Sequence, residues 1–356
     1  MKKAVHIVCA AVVVAALGSA AMALNIETVP VGNPGNANDA YGAGYGAVDY
    51  AYNIGKYEVT AGQYTEFLSA VAATDPYRLY STNMWSGAYS CMIERSGSPG
   101  GYSYSVASDY AKRPVNYVSW GDAARFANWL TNGQPTGTLT GNPIQDAGLT
   151  EDGSYDLNGA VSSTALMAID REDDWKWAIP SEDEWCKAAY YKGGGTDAGY
   201  WNYPTSSDTA PGYVNNSGKL SGTVNPFTDG VTDPGNYATH DGDAGMYGIG
   251  PDYYRTEVGE WENSDSPYGT FDQGGNVYEW NEAILHDGSR RGFRGGSFAS
   301  YSSILHASYR NSSGGPLGEV GAVGFRVAQV PEPATFTLLA IGGLALVRRR
   351  KRGACE

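Results

Sequence analysis

Apolar positions recur at helical spacing in three stretches, each opened by residues suited to capping. Tyr64, Phe67, Leu68 and Val71 fall at i, i+3, i+4 and i+7 behind Thr60-Ala-Gly-Gln63, the pattern of a capping box. Ala123, Phe126, Ala127 and Leu130 follow Ser119-Trp-Gly-Asp122 in the same manner. Trp185, Ala188 and Ala189 follow Pro180-Ser181-Glu-Asp-Glu184. Each predicted helix is short, so packing must hold it rather than intrinsic propensity. Residues 141–174 show no sustained helical period and read as an excursion with one strand near Ser154–Leu157. Residues 193–275 show none at all, and loops this long are usually functional or held by ligands. Short strands are predicted near Gly292–Ser297 and Gly324–Val330. Residues 24–53, rich in Gly, Ala and Tyr, read as a flexible lead-in.

The two ends have a different pattern. Lys2 and Lys3 precede an apolar run and then Ala21-Met22-Ala23, the order of a secretory signal over residues 1–23. At the other end, Val330-Pro331-Glu332-Pro333 leads into an apolar run, Ala334–Val347, and then Arg348-Arg349-Arg350-Lys351-Arg352. A short apolar stop held by a cationic cluster on the cytoplasmic side suits a temporary transmembrane stretch better than a permanent anchor. Residues 330–356 resemble the PEP-CTERM sorting tail of Gram-negative bacteria. That resemblance implies processing by an exosortase-type membrane protease and delivery to the cell surface or extracellular matrix.

Composition narrows the partners. The chain has 24 Lys and Arg against 38 Asp and Glu, a net charge of -14, and the two sorting segments hold seven of the cations. The remaining domain is more acidic still, and an acidic surface repels nucleic acid. Polysaccharide and surface protein remain open as partners. With 48 Gly and 27 Tyr, a loop-rich domain with an aromatic interior is expected. Cys9 and Cys355 lie in the sorting segments, leaving Cys91 and Cys186 either to pair in an oxidising envelope or to stay as buried thiols.

Seven segments in order then carry a resemblance. They are Ile54-Gly-Lys-Tyr-Glu-Val-Thr60, Pro114-Val-Asn-Tyr-Val-Ser-Trp120, Ile179-Pro-Ser-Glu-Asp-Glu-Trp185, Gly275-Asn-Val-Tyr-Glu-Trp280, Arg294-Gly-Gly-Ser-Phe298, Arg310 and Gly324-Phe-Arg326. Residues 54–329 resemble the formylglycine-generating-enzyme (sulfatase-modifying factor) family. The resemblance implies an α+β, C-type-lectin-like fold, loop-rich with little regular secondary structure. It also implies an oxidase that holds Cu(I) between two thiolates, the soft ligands that ion prefers. Counted from Ser297, the two thiolate positions hold Ser300 and Leu305, so copper and the oxidase reaction are not expected. His306, next to the second position, is the remaining copper-binding side chain nearby. Ser297, Trp280 and Ser300 match a pocket. The family also binds calcium through hard oxygen donors. Asn276, Glu279 and the Val277 carbonyl match one such site, with Asn236 and Asp252 as candidates for another. The expectation is an exported, calcium-stabilised binding or structural module without the original chemistry, the alternative being an enzyme of altered chemistry.

Overall fold

The computed structural model describes residues 23–331, apart from 43, 214–234, 243–246, 286–287 and 313. Both expected sorting segments lie almost wholly outside the described residues. Among the described residues, no helix is long and apolar enough to cross a membrane.

Strand β1 (Thr28–Val31) pairs antiparallel with β2 (Tyr52–Gly55). The lead-in expected to be flexible therefore begins in a sheet. Asn36 ties it down further, donating to Gly46 O at 2.7 Å and to the Tyr200 hydroxyl at 2.8 Å. Helix α1 (Ala61–Val71) follows, capped by Thr60 and Gln63 as the sequence predicts, with Tyr64, Phe67, Leu68 and Val71 all buried. A single turn, α2 (Asn83–Ser86), precedes the hairpin of β3 (Ile93–Ser96) and β4 (Ser103–Val106).

Helix α3 (Trp120–Thr131) opens on the Ser119/Asp122 capping box and is buried along nearly its whole length. Where a strand was expected over Ser154–Leu157 there is a loop instead. Asn128 of α3 holds it, accepting from Tyr155 N at 2.9 Å and donating to Tyr155 O at 2.8 Å. The same excursion contains two short helices that periodicity did not reveal, α4 (Pro143–Asp146) and α5 (Ser163–Met167), with a π-type turn at Ala147–Glu151. Strand β5 (Trp177–Ala178) leads to α6 (Glu182–Tyr190), capped by Ser181 and Glu184.

A long hairpin, β6 (Tyr278–Leu285) and β7 (Arg290–Arg294), is joined in parallel by β8 (Val323–Gly324). Strand β9 (Ala328–Gln329) returns between β2 and β5, giving the sheet order β1-β2-β9-β5. The principal core lies between these sheets and α1 and α3. Phe126 packs on Tyr64, Phe67, Trp129 and Phe325, and Trp280 packs edge-on against Phe293 at 5.2 Å. Aromatic rings thus fill much of the interior, and the fold is mixed α+β with long loops.

Candidate functional site

After β7 the chain turns through Gly295 and Gly296, both at positive φ, into Ser297. A side chain at 296 has no room. Its Cβ would stand 2.8 Å from Leu305 Cδ1 and 3.3 Å from Ser300 Cβ. The side chains at 300 and 305 therefore converge on one backbone position. These are the two positions matched to the thiolate pair, and the fold does bring them together. What they carry is a hydroxyl and an isobutyl group. Ser300 Oγ accepts from Ser297 N at 2.9 Å and lies 3.3 Å from Ser297 Oγ. Leu305 is fully buried, and its carbonyl accepts from the Tyr190 hydroxyl at 3.0 Å.

Other expected members are elsewhere. Trp280 is core, fully buried, with its indole N–H donating to Val118 O at 3.0 Å. Cys91 and Cys186 are free and buried rather than bridged, and burial pushes both thiols up, away from the reactive thiolate. His306 is half-buried between the rings of Tyr41 and Tyr203, at 5.1 and 5.4 Å, and its Nδ1 bonds the Ser308 hydroxyl. Burial lowers its pKa, and among the described residues it belongs to no group of three or more His, Cys, Asp or Glu side chains that could hold a metal.

The centre of charge lies one step away, on β6. Glu279 and Arg326 are wholly excluded from water and form a bidentate pair at 2.5 and 2.7 Å. Trp185 Nε1 adds a third donor to Glu279 at 2.7 Å. Arg326 also donates to Gly55 O and Phe271 O, each at 2.8 Å, and so clamps β2 to the loop before β6. Two further carboxylates attend this single guanidinium. Glu58 accepts from Asn276 Nδ2 at 3.0 Å and from Val277 N at 3.2 Å. Asp272 accepts from Gly259 N at 2.6 Å. Burial and the charges of Asp272 and Glu279 push Glu58 well above the usual carboxylate range. Burial also lifts Asp272 to about 6, against the opposing pull of the Gly259 hydrogen bond and Arg326. Sequence reading missed Glu58 and Asp272; the available signal was an acid inside the apolar strand segment that contains Tyr57 and Val59.

Most of the side chains matched to calcium carry protein partners. Glu279 is engaged by Arg326 and Trp185, and Asn276 Oδ1 accepts from Thr256 N at 3.1 Å. Asn236 Oδ1 accepts from the Thr205 hydroxyl at 2.6 Å, while Asp252 is exposed on another loop, its carbonyl accepting from the Tyr110 hydroxyl. Among the described residues, no three His, Cys, Asp or Glu side chains could jointly hold a metal.

Comparison with known proteins places this geometry. The sulfatase-modifying factor enzyme 1-like domain matches residues 9–331, and the chain belongs to that family. The PEP-CTERM protein-sorting motif matches residues 329–352, marking the chain for export and surface sorting by exosortase-type machinery in Gram-negative bacteria. Among solved structures, Treponema denticola variable protein 1 is 20% identical, with 87% of this chain and 98% of that one covered and a TM-score of 0.48. CarF is 18% identical, with 87% and 100% covered and a TM-score of 0.45. PvdO from Pseudomonas aeruginosa is 18% identical, with 86% and 92% covered and a TM-score of 0.42. Likenesses this distant carry no functional argument. No curated protein matches the chain.

Proposed function

We propose that this family member is a non-catalytic module displayed outside the cell, where it binds or organises a surface component, either polysaccharide or protein. The observation that carries the reading is the pair of side chains at 300 and 305. They meet at Gly296, where the family chemistry needs two thiolates, yet present one hydroxyl and one hydrocarbon group. Neither replaces a soft ligand. The sorting motif supports display, and exposed Tyr50, Trp85, Tyr247 and Tyr301 supply rings able to contact a partner. Calcium is left out of this reading because the matched donors are held by protein partners.

The test is a reaction. The full chain, supplied with Cu(I), oxygen and a cysteine-containing peptide, is followed by oxygen consumption and by aldehyde formation on the peptide. Neither should exceed the copper-only blank. Turnover above the blank would show that the family's copper oxidase reaction persists and would overturn the reading.

A further inference from the structure

A cavity of 410 Å³ opens beside the first turn of α3. It is walled by the Pro76–Arg78 loop, the first turn of α3, residues 160–166 and the loop through Leu317 and Glu319. Its volume falls in the range of about 300–1,000 Å³ typical of small-molecule sites.

The polar groups inside are built in. Arg125 is 98% shielded from solvent, its exposure being 2%. Its Nε and Nη2 form a bidentate pair with Glu151 at 2.7 and 2.9 Å, and Nη2 also donates to Ala160 O. Its Nη1 donates to no protein group among the described residues. It stands 3.5 Å from where a Cβ on Gly121 would sit, at the cavity wall. The guanidinium lies over the Tyr77 ring at 4.6 Å, which fixes its plane. One turn back on the same helix face, buried Asp122 caps α3 through Ser119 N at 2.8 Å and also lines the cavity. Leu166, Leu317 and Val161 supply an apolar wall.

Charge selects the ligand class. The Arg125 charge is already met by Glu151, so a second anion gains little, and Glu319 repels one. An ammonium ion would face Arg125 and Arg78. Burial, opposed by the bonds from Ser119, pushes Asp122 up to about 8, so at neutral pH it presents mainly a neutral carboxyl that both donates and accepts. A free guanidinium N–H, a neutral carboxyl and an aliphatic wall together complement a molecule with vicinal hydroxyls on a hydrocarbon ring.

We propose that this cavity binds a neutral polyhydroxylated ligand, one or two sugar units of a glycan, whose hydroxyls bridge Arg125 Nη1 and Asp122. The assignment goes beyond the non-catalytic reading and does not depend on it.

The experiment is calorimetric titration of the full chain with glucose, galactose, N-acetylglucosamine and their β-linked disaccharides, with glycine, acetate and phosphate as charged comparators. Two variants probe the cavity. In Gly121→Ala the new methyl meets Leu166 Cδ1 at 3.0 Å and narrows the space beside Nη1 at a helical position that favours Ala. In Leu317→Trp a side chain that is already 46% exposed is enlarged over the mouth. At least one neutral sugar should bind one to one. Both variants should weaken it at least tenfold with unchanged melting temperature, while Tyr247→Ala, at an exposed ring outside the cavity lining, leaves it intact. Three results would each overturn the assignment: no neutral sugar binding, equal binding by both cavity variants, or preference for a charged comparator. Any of them leaves the reading based on residues 300 and 305 standing.

Discussion

Replacing Arg326 by Met removes the single cation that Glu58, Asp272 and Glu279 share. The pair with Glu279 has no solvent exposure on either side, and breaking a buried pair by deleting one partner costs about 3–5 kcal/mol. The carbonyls of Gly55 and Phe271 lose a donor as well, each loss adding about 1 kcal/mol or more if water does not replace it. The expected loss near pH 7.5 is therefore roughly 5–7 kcal/mol. That is a large share of the ~5–15 kcal/mol typical of a folded domain. With a denaturant slope of about 3 kcal/mol/M for a domain of this size, the urea midpoint falls by roughly 1.7–2.3 M. Tryptophan fluorescence reports the transition directly, since Trp185 bonds Glu279 and Trp280 lies next to it in the chain. The penalty must also depend on pH. Carboxylates deprived of their cation take up protons, so at pH 5 R326M should recover part of its deficit relative to the parent. Adding Glu279→Gln to R326M should restore about 1–2 kcal/mol at pH 7.5 by removing one of the stranded charges. A deficit under about 1 kcal/mol, or one identical at pH 5 and 7.5, would refute the shared-cation account.

Asp272 gives a second pH signature. Its folded-state pKa, about 6, lies above the ordinary aspartate value of about 4, so its contribution is complete below about 4 and lost as pH rises through 6. Partial contact with water limits this to about 1–2 kcal/mol. Asp272→Asn keeps an acceptor for Gly259 N and should match the parent at pH 4 but exceed it at pH 8; urea midpoints at both values check the sign. Thr60→Ala removes the α1 cap and should cost about 1 kcal/mol, read as a lowered midpoint without change in slope. Chelation of the purified full chain should leave its melting temperature within about 1 °C, because protein donors occupy Asn276 and Glu279; ~1 kcal/mol moves a domain this size by about 2–4 °C. A fall of several degrees reversed by calcium would return those residues to metal ligands.

The parts of the fold that could be read in advance are those where local signals agree. Each main helix combines a capping box with an apolar stripe, and each forms with its predicted inner face buried. The short helices α4 and α5 span four and five residues, too few for a helical period to show. Residues 24–53 looked flexible because Gly, Ala and Tyr dominate their composition, but Val31 and Val48 bury against Tyr52, Ile54 and Ala188. The convergence of residues 300 and 305 could be anticipated from motif spacing. The charged centre could not: Glu58 and Asn276 are 218 residues apart, and nothing local to either announces the other. Trp280 shows the same limit. Its motif marks a position in the chain, while its indole partner, Val118, comes from the segment entering α3.

The central claim is that the fold retains the site geometry while residues 300 and 305 have lost the ligands. Cu(I) titration against a colorimetric chelator, comparing the parent chain with Ser300→Cys/Leu305→Cys, tests it most directly. The parent should take no copper from the chelator, and the double variant, with two thiols converging at Gly296, should take up one equivalent. Stoichiometric Cu(I) capture by the parent would contradict the account.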